Sequence, residues 1–143
     1  MRMVSGVYIL AISVKENIEL NVGALGSMFF EKGMYAYVGS AQNNVKKRVE
    51  RHLERTKKKL WHVDYLLSNE QVAVEQVFYK KAEKIEECSI AQRLGERNIP
   101  IEDFGCSDCR CRSHLFLLKD PDYLRTLGQL AEPFSQCTYE NKT

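Results

Sequence analysis

Arg48 and His52 stand one helical turn apart in VKKRVERHL, and Glu87 interrupts an apolar pattern further along the chain. Val45, Val49 and Leu53 recur at four-residue spacing and form the core stripe of a basic helix. Arg48 and His52 share one flank of that stripe, with Arg51 and Arg55 a little further round on the same side. Lys46 lies on the opposite flank, while Glu50 and Glu54 face away. Arg48 and His52 are therefore half in and half out, at the rim where a ligand on the sheet face would meet the helix. An arginine snorkelling over the core edge, stem buried and head solvated, would have the same placement. Glu87 shares a helix face with Ile90, Ala91 and Leu94, at the spacing of one apolar side. A carboxylate there is costly unless it is paired, protonated or bound to a metal. Two readings follow: a salt bridge to Arg48 or a lysine, or a carboxylate holding a hard cation such as Mg²⁺ at the floor of a cleft.

The basic helix and the segment after it carry most of the positive charge. From Lys46 to Lys59 there are eight basic residues (Lys46, Lys47, Arg48, Arg51, Arg55, Lys57, Lys58, Lys59) and two acidic ones, net +6 against +2 for the whole chain. Concentrated charge of this kind suits an anionic partner such as a nucleic-acid backbone, although a charged run also solvates a surface. Trp61 follows the lysines and either stacks on a nucleobase or opens the apolar segment LWHVDYLL as a core residue.

Cys106, Cys109, Cys111 and His114 form C-x2-C-x-C-x2-H within nine residues. Thiolates and imidazole are zinc ligands. Cys109 and Cys111, if extended, point to one side, and His114 completes three positions, with Cys137 or Cys88 as a distant fourth. Reduced, partly buried thiols in a structural loop are the competing reading. Five cysteines, an odd number with no secretion signal, point to a reducing cytoplasm rather than a disulfide framework.

The elements that must position these groups belong to one domain. A 143-residue chain with 44% hydrophobic and 28% charged residues is ordinary for a soluble globular protein. The apolar start MRMVSGVYILAISV lacks a cleavage site and is too short to span a bilayer, so it reads as a buried strand and no membrane partner is expected. Strands are predicted at Ser5–Val14, Met34–Gly39, Gln71–Tyr79 and His114–Leu118, with a short one within Ile18–Val22. Helices are predicted after Asn43 or Asn44, at Trp61–Leu67, at Ala82–Asn98 stopped by Pro100, and from Asp120 and Pro121 to about Leu130. The order gives an α+β domain over residues 1–134, a small central, mostly antiparallel sheet flanked by helices. Residues 135–143 read as a fraying C-terminal tail.

GVY at Gly6–Tyr8, YVG at Tyr37–Gly39, Arg48 in NNVKKRVERH and Glu87 on a later helix together resemble the GIY-YIG nuclease family, over Ser5 to about Gly95. The nuclease domain of the bacterial excision-repair incision enzyme and the structure-selective resolvase subunits share this pattern. The ending FGCSDCRCRSHLFLL resembles a narrower group, small archaeal GIY-YIG-like proteins whose activity is not established. The resemblance implies a DNA endonuclease of repair or recombination that uses Mg²⁺ or Mn²⁺, with a DNA-repair protein as a further partner. In it Tyr8 helps take the proton from an attacking water, Tyr37 orients water or phosphate, and Arg48 stabilises charge on the phosphate. His52 assists one turn later, Glu87 holds the metal, and Lys46, Lys47, Arg51, Arg55, Lys57, Lys58 and Lys59 meet the DNA. A turn at Gly39 brings backbone close to a phosphate.

Two departures set further expectations. The stretch between Tyr8 and Tyr37 is far longer than the family's short hairpin, so Leu20 to Lys32 is expected to cover or reshape the cleft. The Glu87 match rests on helix position, with Glu83 and Glu75 as fallbacks. Two rivals carry different functions: a non-catalytic nucleic-acid-binding module of the same fold, and a zinc-stabilised domain that docks an acidic protein.

Overall fold

In the computed structural model, which describes residues 6–41, 45–54, 61–105, 111–120, 122–124 and 135–137, the apolar start forms β1 (Gly6–Val14). β1 is buried almost throughout because both its faces are covered. Tyr8, Leu10, Ile12 and Val14 enter one core, against Val49 of α1 (Val45–Leu53) and Val63, Leu66 and Leu67 of α2 (His62–Leu67). Val7, Ile9 and Ala11 enter a second core, against Ile90, Ala91 and Leu94 of α3 (Ile85–Arg97). A strand with no polar face is the pattern expected of such a central position.

β2 (Ile18–Asn21) and β3 (Ser27–Phe30) form a separate two-stranded antiparallel sheet. β4 (Gly33–Ala41) and β5 (Val72–Lys81) flank β1, both antiparallel to it. β6 (Ile99–Pro100), β7 (Leu115–Leu117) and β8 (Ser135–Cys137) complete a sheet of order β6-β7-β4-β1-β5-β8. All its pairings are antiparallel, so the α+β fold class stands. Pro100 stops α3 as expected and sits on an edge strand, where its missing N–H costs no ladder bond. Residues 135–137, expected in the tail, pair instead with β5 at the other edge. The closing helix expected up to Leu130 lies, but for Asp120 and residues 122–124, outside the described residues. No helix among the described residues is long and apolar enough to cross a membrane.

Two local features fix the registers. Opposite β1 the register shifts between Ala11 and Ile12, whose partners are Gln76 and Val74, so Glu75 is the extra residue of a bulge. That bulge lets Val72, Val74 and Val77 share one core while Phe78 enters the other. The long stretch between Tyr8 and Tyr37 is the β2–β3 hairpin, which leaves the sheet where Val14 pairs with Gly33. Tyr8 pairs with Gly39 near the other end of the same two strands, about 20 Å away at the usual strand rise. Val22 and Phe30 bury themselves in the core of α1 and α2. The insertion thus enlarges that core and does not cover the Tyr8 end.

Candidate functional site

Tyr8 and Tyr37 project from neighbouring central strands onto the face covered by α1. β4 continues to Ala41, so Gly39 is not the turn expected of it but a strand residue beneath the Tyr8 ring. A Cβ on Gly39 would overlap Tyr8 Cζ and Oη, so any side chain there would force the phenol ring to shift. The space opened by the missing side chain therefore holds a phenol.

α1 brings His52 to that phenol: Tyr8 Oη and His52 Nε2 share a buried hydrogen bond of 2.6 Å. Tyr37 packs edge-on against the same imidazole, with ring centroids 6.1 Å apart. His52 also faces Trp61, at 5.8 Å between centroids. Burial pushes the Tyr8 hydroxyl well above its ordinary pKa, and the Glu87 and Asp64 carboxylates add to the rise. The Arg48 guanidinium, by charge and by hydrogen bond, pulls it partly back. Tyr37 is raised in the same way, by burial first and then by Tyr8, Glu87 and Asp64. Both hydroxyls stay protonated at neutral pH.

Arg48, one turn before His52, donates to the Ser40 carbonyl at 3.2 Å and lies over the Trp61 ring at 4.5 Å. It has no carboxylate partner among the described residues. Arg51 differs. Its two terminal nitrogens each donate to an Asp64 oxygen at 3.0 Å, and its guanidinium covers Trp61 from 4.3 Å. Arg51, expected to meet DNA, thus spends its charge inside the protein. The cause is Asp64, fully buried at the start of α2, which also accepts from the Trp61 N–H at 2.9 Å. His52 Nδ1 stands 3.9 Å from Asp64 Oδ1, beyond hydrogen-bond length but within electrostatic reach.

Glu87 comes to this locus from the opposite face of the sheet. Ser40 is three residues beyond Tyr37 on a regular strand, so its side chain points to the α3 face. There the Ser40 hydroxyl donates to Glu87 Oε1, while His114 Nδ1 lies 2.8 Å from Glu87 Oε2. The Glu87 side chain is 12% exposed, and its observed partners are a serine and a histidine rather than Arg48 or a lysine. Ser40 therefore joins the two faces, its carbonyl held by Arg48 and its hydroxyl by Glu87. The fallback acids do not join: Glu75 accepts from Ser13 Oγ at 2.7 Å at the far end of β1, and Glu83 is exposed.

Cys88, Cys111 and His114 place one ligand atom each within 4.8 Å of one another, and these three can hold a metal ion. Cys88, expected only as a distant fourth ligand, reaches the group because α3 packs where β7 begins. Cys106 and Cys109 lie outside the described residues, as do Arg55, Lys57, Lys58 and Lys59. Lys46 is described by its backbone alone, and Lys47 is exposed.

The spacing in the sequence finds Tyr8, Tyr37, Arg48, His52 and Glu87, but misses Asp64 and Ser40. Asp64 had a signal: an acid in the apolar run LWHVDYLL needs a partner, as Glu87 does. Ser40 had none, since a serine at a strand end is common. A family model described as Domain of unknown function DUF123 matches residues 7–136. No curated protein and no solved structure matches the chain.

Proposed function

The chain belongs to the family described as Domain of unknown function DUF123, and we propose that it is a GIY-YIG-type nuclease that hydrolyses DNA phosphodiester bonds in repair or recombination. One observation carries the reading. Arg48 holds a guanidinium without a carboxylate partner among the described residues, beside a hydrogen-bonded phenol and imidazole. An uncompensated guanidinium is a group that a phosphate oxyanion recruits.

In this reaction Tyr8 is a relay rather than a phenolate base, because burial keeps it protonated. Its O–H donates to His52 Nε2, and its oxygen accepts the proton of the attacking water. The proton moves along the pair to His52, and the buried Asp64 carboxylate near Nδ1 favours the imidazolium that forms. Tyr37 and Trp61 hold the ring in place. Arg48 stabilises the charge that gathers on the phosphate. The basic run from Lys46 to Lys59 follows the DNA backbone.

Glu87 suits a hard cation in its donor chemistry. Each of its oxygens accepts one bond and keeps a second lone pair. It would hold Mg²⁺ or Mn²⁺, which when bound polarises the phosphate and stabilises the leaving oxygen. The sulfur and imidazole donors of Cys88, Cys111 and His114 suit zinc instead.

A second reading, the non-catalytic nucleic-acid-binding module, draws on a different observation: Tyr8 and His52 are each only 2% exposed. Incubating the full chain with branched and damaged duplexes, with Mg²⁺ or with chelator, separates the two. Mg²⁺-dependent nicking that is lost in Arg48→Ala supports the nuclease. Salt-sensitive binding with no nicking by the wild type assigns the second reading.

A further inference from the structure

We infer that Glu87 is the outer carboxylate of a metal centre built from Cys88, Cys111 and His114, so that filling this centre positions the residues at the end of β4. The inference rests on the reading that the centre takes a zinc-like ion, and it deepens that reading by assigning Glu87 a part in it.

His114 is buried to 1% exposure and offers two ring nitrogens. Nδ1 is committed to Glu87 Oε2 at 2.8 Å. With the proton on Nδ1, Nε2 carries the lone pair that a metal needs. The thiols of Cys88 and Cys111 then supply the other two donors, and one ligand atom from each of the three residues lies within 4.8 Å of the others. Two thiolates around one zinc stand about 3.8 Å apart, so loading requires a contraction of at most about an ångström. Glu87 and Cys88 are neighbours in the first turn of α3 and address the same imidazole: one binds its N–H, the other shares its metal. A carboxylate that takes the second N–H of a ligating histidine fixes the ring and raises its basicity.

The consequence reaches the other face of the sheet. Glu87 holds the Ser40 hydroxyl, and the Ser40 carbonyl holds Arg48. A filled centre fixes His114, His114 fixes Glu87, and Glu87 fixes the strand end on which Arg48 rests. Glu87 is thus a positioning residue for both the centre and the arginine.

Cobalt(II) tests this on the full chain, stripped of metal and kept reduced. The wild type should take one equivalent, with a thiolate-to-cobalt charge-transfer band and tetrahedral d–d bands, both removed by added zinc. Cys88→Ser and Cys111→Ser should each lose charge-transfer intensity. Glu87→Gln should keep that band but bind cobalt about 10–100-fold more weakly, with shifted d–d bands. Glu87→Ala, which removes the acceptor altogether, should weaken binding at least as much. If Glu87→Ala does not fold, the glutamine variant decides. A wild type that takes no cobalt retires the zinc reading and this inference together. Wild-type binding that both Glu87 variants match within about twofold retires the inference alone. Cleavage enters none of these readouts, so the nuclease reading stands or falls separately.

Discussion

Gly39 and Asp64 show how single residues set the site. Because a Cβ at Gly39 would collide with Tyr8 Cζ and Oη, Gly39→Ala must push the phenol off the strand and lengthen its bond to His52. Overpacking of this kind costs about 1–3 kcal/mol. Tyr8→Phe removes the same hydrogen bond but keeps the ring, at about 1 kcal/mol. Urea unfolding of both variants checks the order: an alanine variant no less stable than the phenylalanine variant would mean the ring does not lie on Gly39. Asp64 carries a larger share. Asp64→Ala strands the Arg51 guanidinium and the Trp61 N–H and removes the negative charge beside His52, and breaking a buried pair costs about 3–5 kcal/mol. A loss below about 1 kcal/mol in the same unfolding measurement would reduce the pair to a surface contact. The two residues also show why part of the site was hidden. Tyr8, Tyr37, Arg48, His52 and Glu87 were legible because their types and order are unusual. The role of Gly39 was not, since a glycine looks the same whether a ligand or a side chain fills its space. The pairing of Arg51 with Asp64 was not legible, because its partner lies across a tertiary contact that helical periodicity does not encode.

Among the elements, long apolar strands were legible and short pairings were not. β1, β4 and β5 announce themselves by apolar runs, whereas β3 and the two-residue β6 exist only because a partner pairs with them. The loop after β6 is a similar case, held by tertiary contacts. Phe104 is buried against Phe30, Tyr37 and His62, and the Gly105 N–H donates to His62 Nδ1 at 2.9 Å. Gly105 has a φ of 75° and lies against Tyr37, so this turn seats directly on the site. His62 must be neutral to accept that bond, and burial lowers its pKa below the ordinary value of about 6.5. The unfolded chain therefore takes up a proton below about pH 6.5 while the folded protein still resists it. The stability contributed by neutral His62 is complete above that pH and is lost as pH falls toward the lowered folded pKa. His62→Gln should flatten this part of the profile. Melting temperatures of both proteins from about pH 7.5 to about pH 5 test it, and parallel curves would show that His62 does not report on the turn.

For the whole molecule, the question is how much of its concentrated charge reaches a partner. The segment from Lys46 to Lys59 carries a net +6 in a chain of net +2, leaving −4 elsewhere, so the charge is unevenly spread along the sequence. Such a concentration of charge favours a polyanion before any specific contact forms. Two of its eight cations are partly turned inward. Arg51 is neutralised by Asp64, and Arg48 rests on Ser40 and Trp61. The lysines Lys57, Lys58 and Lys59 should therefore supply much of the nonspecific binding. Replacing these three with glutamine should weaken association about equally for every duplex sequence. It should also flatten the plot of log K against log salt by up to about three units, roughly one for each phosphate no longer neutralised. Arg51→Ala should act differently, because its charge is already paired. It should lower the melting temperature and leave the salt slope near the wild-type value. Measuring DNA affinity across a salt series for both variants, alongside their melting curves, separates surface charge from structural charge. A triple variant with an unchanged slope places the DNA path away from this segment, and an Arg51→Ala variant that flattens the slope while keeping its stability returns Arg51 to the DNA-facing surface.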